Sequence, residues 1–160
     1  MTTPDRDALA RAGYSVSADP ARLDLVAVHA FLSRTFWSPG IPLDVVRAAA
    51  ANSLCFGVYH GAAQVGFARV ITDRTTFAYL ADVYVLEEHR GRGLAAWLTE
   101  TVLAHPELQG LRRFMLMTRD AAGLYAKFGF TPMPEPSGVM IKRGVLGYLQ
   151  QDRATNDAAP

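Results

Sequence analysis

The chain has 160 residues, half of them hydrophobic, and a formal net charge of +1. That length suits one well-buried core and is too short for two ordinary domains. The near-neutral charge argues against a nucleic-acid binder that works by counterion release. The single cysteine, Cys55, excludes an internal disulfide and fits a reducing cytosol.

The first residues, Met1 to Asp7, are polar and lack the apolar run of a signal peptide. Positions 48–68 carry no Lys, Arg, Asp or Glu, roughly the length of a membrane span. Asn52, Gly57, His60-Gly61 and Gln64 interrupt that window, so it reads as two strands around a turn and no membrane segment is expected. Gly13 to Ser17 alternates as a short strand. Asp19-Pro20 then opens a helix with Leu23, Val26, Ala27, Ala30 and Phe31 on one face. Phe36 to Pro42 is a rigid aromatic loop, because Pro and Gly break both regular patterns, and Leu43 to Ala51 is a second helix. Leu54–Tyr59 and Ala63–Ile71 form a hairpin across His60-Gly61, and Asp73-Arg74 turns into the next strand.

Phe77 to Leu86 is almost continuously apolar and reads as a strand buried on both faces. A short polar link, Glu87-Glu88-His89, leads to Arg90-Gly91-Arg92-Gly93-Leu94-Ala95. From there Leu94, Trp97, Leu98, Thr101 and Val102 fall at helical spacing until His105-Pro106. Strand, glycine-basic turn and helix together make a device for holding phosphate. Gly91 and Gly93 let main-chain N–H groups approach an anion, and the helix adds unpaired N–H groups and the positive end of its dipole. An ordinary glycine turn with solvated arginines is the plainer alternative. Phe114 to Met117 is a further buried strand, parallel to the central one because a helix joins them. Ala121 to Lys127 is a short helix stopped by Gly129, and Phe130–Met133 with Val139–Lys142 suggests a final hairpin. One domain is expected over residues 1–143, followed by a polar, frayed tail over 144–160.

Arg90-x-x-Gly93-x-Ala95 is similar to the Arg/Gln-x-x-Gly-x-Gly/Ala signature of the GNAT superfamily of N-acetyltransferases. Residues 121–130, Ala-Ala-Gly-Leu-Tyr-Ala-Lys-Phe-Gly-Phe, resemble that family's Ala-x-x-Leu-Tyr-x-x-x-Gly-Phe segment. The two lie within residues 90–130, about a quarter of the chain, and the element order β-α-α-β-β-β-α-β-α-β-β extends the likeness over most of it. The resemblance implies an α/β (α+β) fold with a mixed, mostly antiparallel central sheet, a parallel central pair and flanking helices. It also implies acetyl-CoA as cosubstrate and an amine, small or peptidic, as acceptor. The pyrophosphate would lie on Arg90, Gly91, Arg92, Gly93, Leu94 and Ala95, and the pantetheine along the main chain of Val83, Tyr84 and Val85. Thr118 stands where many members carry asparagine near the coenzyme. A homodimer is compatible with the resemblance.

Gly91-x-Gly93-x-x-Ala96 also fits a dinucleotide fingerprint. That reading asks for an acidic residue about 20 positions on and a turn that hugs the strand end. Asp120 comes late and a polar link intervenes, so it ranks below.

Acetyl transfer asks for an anchor, a polarised carbonyl, a proton acceptor and a proton returned to the departing thiolate. Tyr125 matches the family's tyrosine, and a phenol's reference pKa of about 10 suits proton return to sulfur. A core tyrosine with a satisfied hydroxyl is the alternative. Asp82 is the single charge inside the central apolar strand. It is either the base or one half of an ion pair with Arg69. Tyr79, Asp73, His29 and a water chain are weaker candidates for that proton. Phe31, Phe36, Trp37, Arg69, Asp73 and Tyr79 are candidates for the acceptor wall, or else core and surface residues. Cys55 reads as a small buried hydrophobe. The four histidines lack metal-ligand spacing, and there is no Gly-x-Ser-x-Gly elbow. Two readings follow: an acetyl-CoA-dependent N-acetyltransferase working by direct attack of a primary amine, or a catalytically silent coenzyme-binding or interaction module on the same fold.

Overall fold

The computed structural model describes residues 5–135, 138–144 and 148. Five strands lie side by side in chain order: β1 (Tyr14–Ser17), β2 (Leu54–His60), β3 (Ala63–Thr72), β4 (Phe77–Val85) and β5 (Arg113–Leu116). The first four pair antiparallel and β4–β5 is parallel, so the expected mixed sheet with a parallel pair is present. Helices cover both faces: α1 (Arg6–Arg11), α2 (Leu25–Leu32), α3 (Leu43–Ala51), α4 (Leu94–Leu103) and α5 (Ala122–Ala126).

The alternation of each strand sorts side chains into two cores. Phe56, Val58, Ala68, Val70, Ala78 and Leu80 point to one face, where Leu94, Leu98 and Val102 of α4 meet them. Cys55, Phe67 and Tyr84 point to the other, against Val28 and Leu32 of α2 and Val46 of α3. Each Val, Leu or Phe among them, taken fully out of water, contributes about 1.5–3 kcal/mol before entropy is subtracted. In β4 the alternation breaks once. Ala78 and Leu80 share a core with Val83 and Val85, so one extra residue must be accommodated between them. The β3–β4 register shifts between Phe67 and Arg69, and Asp82 takes the left-handed conformation with φ of 55°. This β-bulge keeps both halves of β4 anchored while bending its course.

Several local expectations are corrected. The region opened by Asp19-Pro20 holds only a 3-10 turn, Pro20–Arg22; α2 starts at Leu25, capped by Asp24 whose carboxylate accepts from Ala27 N–H. Val28 and Leu32 are its buried residues, whereas Val26 is 58% exposed. Helix α1 was not expected, because six residues with one buried apolar side chain, Leu9, carry almost no periodic signal; Asp5 caps it. The final hairpin is not formed: residues 130–133 and 139–142 contain no strand, and Met140 is 94% exposed. Pro132 and Pro134 flank Met133 and remove the donors that a ladder needs. In the segment expected as a polar tail, Tyr148 packs against the second core; the remaining residues beyond Gly144 lie outside those described. Among the described residues no helix is long and apolar enough to cross a membrane.

Candidate active site

The central pair separates where the site forms. Strands β4 and β5 are in register from Phe77 opposite Arg113 to Leu80 opposite Leu116, and there β5 ends. The chain leaves through Met117 to Ala121, with the Thr118 hydroxyl accepting from Ala121 N–H at 3.0 Å, and enters α5. Strand β4 continues to Val85 with no strand on that flank among the described residues. The parting opens a cleft of about 680 Å³. Its β4 wall is Tyr79 to Val83, its opposite wall is Leu116 to Ala121 with Tyr125, and Phe36 and Trp37 reach it from the loop between α2 and α3.

At the outer end of β4 the glycine-basic turn has the geometry its residues allow. Gly91 and Gly93 take φ of 74° and 87°, where side chains with a Cβ are strained. Gly93 caps α4 without a side-chain acceptor, and the first amide held inside the helix is that of Trp97, on Gly93 O at 3.0 Å. The amides of Leu94, Ala95 and Ala96 therefore have no acceptor within the helix. A Cβ on Gly91 would meet nothing within 4 Å, so the glycine is required by backbone conformation and not by protein packing. Arg90 and Arg92 are exposed, and Arg90 Nε–H donates to Val85 O at 2.8 Å, fastening the turn to the strand end. Two residues outside the sequence-based candidates brace the same turn: the Tyr14 hydroxyl on β1 lies 2.9 Å from His89 Nδ1.

The predicted site residues separate into those at the cleft and those away from it. Tyr125 is buried on the cleft wall. Burial first, and the Asp120 carboxylate second, push its phenol above the ordinary tyrosine range, so it stays protonated. Tyr79 also lines the cleft and is shifted the same way by burial and by Asp82. Val83 and Thr118 line it as well. Tyr84 and Val85 turn their side chains into the two cores, so only their main chain could serve a ligand. Phe31 is not at the cleft: its ring stacks on Tyr84 at 3.8 Å on the other face of the sheet. Asp73 is not there either. It closes the β3–β4 turn, accepting from the amides of Thr75, Thr76 and Phe77 and from the Thr76 hydroxyl, which hold its carboxyl well below the usual range. Its type and position suited an acceptor wall, but an Asx turn used all its acceptor capacity.

Of the two arrangements open to Asp82, the ion pair with Arg69 is the one present. Arg69 Nε donates to Asp82 Oδ2 at 2.8 Å, with the two side chains 17% and 14% exposed. Trp37 Nε1–H donates to Oδ1 at 3.2 Å, so both carboxylate oxygens are engaged. Arg69 also reaches Ser53 Oγ at 3.1 Å. Cys55 is buried and its thiol is pushed up to about 11, mainly by desolvation, as a small core residue would be. Two contacts had no sequence signal: Trp37 on Asp82, and the Arg119 guanidinium 3.8 Å above the Phe36 ring. Both join segments far apart in the chain.

A family model described as an acetyltransferase (GNAT) domain matches residues 51–132 of this chain, just over half of it. The chain belongs to the GNAT acetyltransferase family. A Gibberella zeae relative, named only to the level of acetyltransferase, is 38% identical over 140 residues, 73% of this GNAT chain and 78% of its own. A crystal structure of a Xanthomonas campestris pv. campestris protein assigned to the GNAT family is 53% identical, with a TM-score of 0.80, covering 84% of this chain and 96% of that one. A Clostridium acetobutylicum protein crystallised with acetyl-CoA and described as an acetyltransferase shares the GNAT fold at a TM-score of 0.60 and 15% identity, covering 83% and 96% of the two chains.

Proposed function

We propose that this protein is an acetyl-CoA-dependent N-acetyltransferase that moves an acetyl group to a primary amine by direct attack. The observation that carries this reading is a pair of features on β4: at its outer end a glycine turn and a helix start whose first amides have no acceptor within the helix, and along its unpartnered flank a cleft walled by a buried, protonated Tyr125. A diphosphate fits the first feature, because the positive-φ Gly91 leaves open space close to the N–H groups of a helix start. The acetyl-CoA bound by the Clostridium relative supports the same cosubstrate here.

Acetyl-CoA would supply an activated acyl group and a thiol leaving group. In this reading Arg92 and the amides of residues 91–96 hold the diphosphate, Arg90 keeps the turn seated on Val85 O, and the bulge at Asp82 aims the main chain near Val83 at the carbonyl. The Tyr125 hydroxyl holds the proton that the departing sulfur needs. Asp82 is a positioning residue: with both oxygens engaged, it fixes Arg69 and Trp37 instead of accepting a proton from the amine. The amine proton leaves to solvent at the cleft mouth, so kcat/KM for the amine should rise with pH along the substrate's own titration.

A thiol-release assay with acetyl-CoA and an amine panel tests the reading. Acetylated amine and stoichiometric free thiol are expected. Acetyl-CoA binding without turnover of any amine would instead favour the silent coenzyme-binding module.

A further inference from the structure

Residues 33–42 form a strap between α2 and α3 that brings Phe36 and Trp37 to the cleft. The strap is tightly built: Gly40 N–H donates to Ser33 O at 2.8 Å, and the buried Thr35 and Ser38 hydroxyls both donate to Leu32 O. Between those two anchors Phe36 and Trp37 remain 58% and 44% exposed and belong to neither core. Each is nevertheless held. Trp37 is fixed to the β4 wall through Asp82, and Phe36 to the opposite wall beneath Arg119. Their rings meet edge to face at 5.0 Å, with Tyr79 lining the same cleft.

We propose that Phe36 and Trp37 are the specificity-determining side chains, selecting a compact primary amine carried on an aromatic or similarly flat apolar body. This rests on the acetyltransferase reading above. Large rings that a rigid strap leaves about half in water gain from a partner that covers what the fold leaves exposed. The Phe36 face already receives a flat group, the Arg119 guanidinium, so it is shaped for stacking. Charge argues in the same direction. Asp82 is paired with Arg69, and the other two charged residues that line the cleft, Arg119 and Asp120, are opposite in sign, so the formal charges sum to zero. A polyamine would need several unpaired carboxylates there, and a phosphorylated or acidic amine would need unpaired cations.

The test uses the full chain with acetyl-CoA, following thiol release from phenylethylamine, tryptamine, butylamine, spermine, glucosamine 6-phosphate and a lysine peptide. The two arylalkylamines should exceed the others by about tenfold or more in kcat/KM. Phe36→Ala and Trp37→Ala should each raise the arylalkylamine KM about tenfold with little change in kcat, while Trp37→Phe, which keeps a ring but loses the donor to Asp82, should fall between the parent and Trp37→Ala. Calorimetry should give an unchanged acetyl-CoA affinity in all three, showing an intact fold. Best turnover of spermine, the peptide or the phosphorylated amine would overturn the proposal. So would an aryl preference that survives in the alanine variants. Acetyl-CoA binding with no thiol release from any amine would remove the acetyltransferase reading itself, and this one with it.

Discussion

Asp82→Asn separates the two roles a carboxylate could have beside this cleft. Asparagine keeps the shape, tolerates the left-handed φ of 55°, and still offers an oxygen to Trp37 Nε1. What it removes is the charge facing Arg69, whose side chain is only 17% exposed. Breaking a fully buried pair costs about 3–5 kcal/mol; with some solvent at both partners, about 2–4 kcal/mol is expected here. For a chain of this size about 1 kcal/mol moves Tm by roughly 2–4 °C, so a loss centred near 9 °C should follow. Arg69→Met alone should also destabilise, and the double variant should be more stable than either single one, with a coupling of at least about 1 kcal/mol. In thiol-release kinetics, kcat should stay within about threefold while the amine KM rises a few-fold, and the pH profile of kcat/KM should keep its form. The reasoning is refuted if Tm barely moves while kcat falls about a hundredfold and the acidic limb of the profile disappears. Asp82 would then be the general base.

Other perturbations address separate parts of the site. Tyr125→Phe should lower kcat by about a hundredfold or more without changing acetyl-CoA affinity. Because burial and Asp120 raise the Tyr125 phenol, parent activity should persist through pH 10 and fall only above it, a limb absent from the variant. Gly91→Ala meets no protein atom, so its stability cost should be only the left-handed backbone term of about 1–2 kcal/mol. Its loss of acetyl-CoA affinity in calorimetry should exceed that, and equal binding would count against a diphosphate at this turn. Cys55, with its thiol raised to about 11, should react with iodoacetamide at pH 8 only as fast as the protein unfolds. Labelling of the folded chain within minutes would show a far more open β2 than the structure has.

The parts of this molecule that were legible in its sequence are those whose cause is local. Phe77–Val85 announced a buried strand by composition, Leu94–Leu103 a helix by period, and Arg90–Ala95 a turn by its glycines. Tyr125 and the glycine turn were placed by two motifs whose order carries the family likeness. What could not be read depends on residues distant in the chain. Phe31 and Trp37 are both aromatic and only six positions apart, yet one stacks on Tyr84 behind the sheet and the other binds Asp82 in front. Asp73 and Asp82 look alike as lone carboxylates, but one closes a turn and the other sits on a bulge. The hairpin expected at the end failed for a local reason that was present in the sequence: prolines at 132 and 134 outweigh the apolar alternation.

The most direct test is a titration of CoA into the isotope-labelled protein, following its backbone amides by NMR. The account predicts saturable shifts concentrated on Gly91 through Ala96 and on the β4 edge from Ala81 to Val85, with the β1–β2 end of the sheet silent. No response at millimolar CoA, or shifts centred away from that turn and edge, would contradict it.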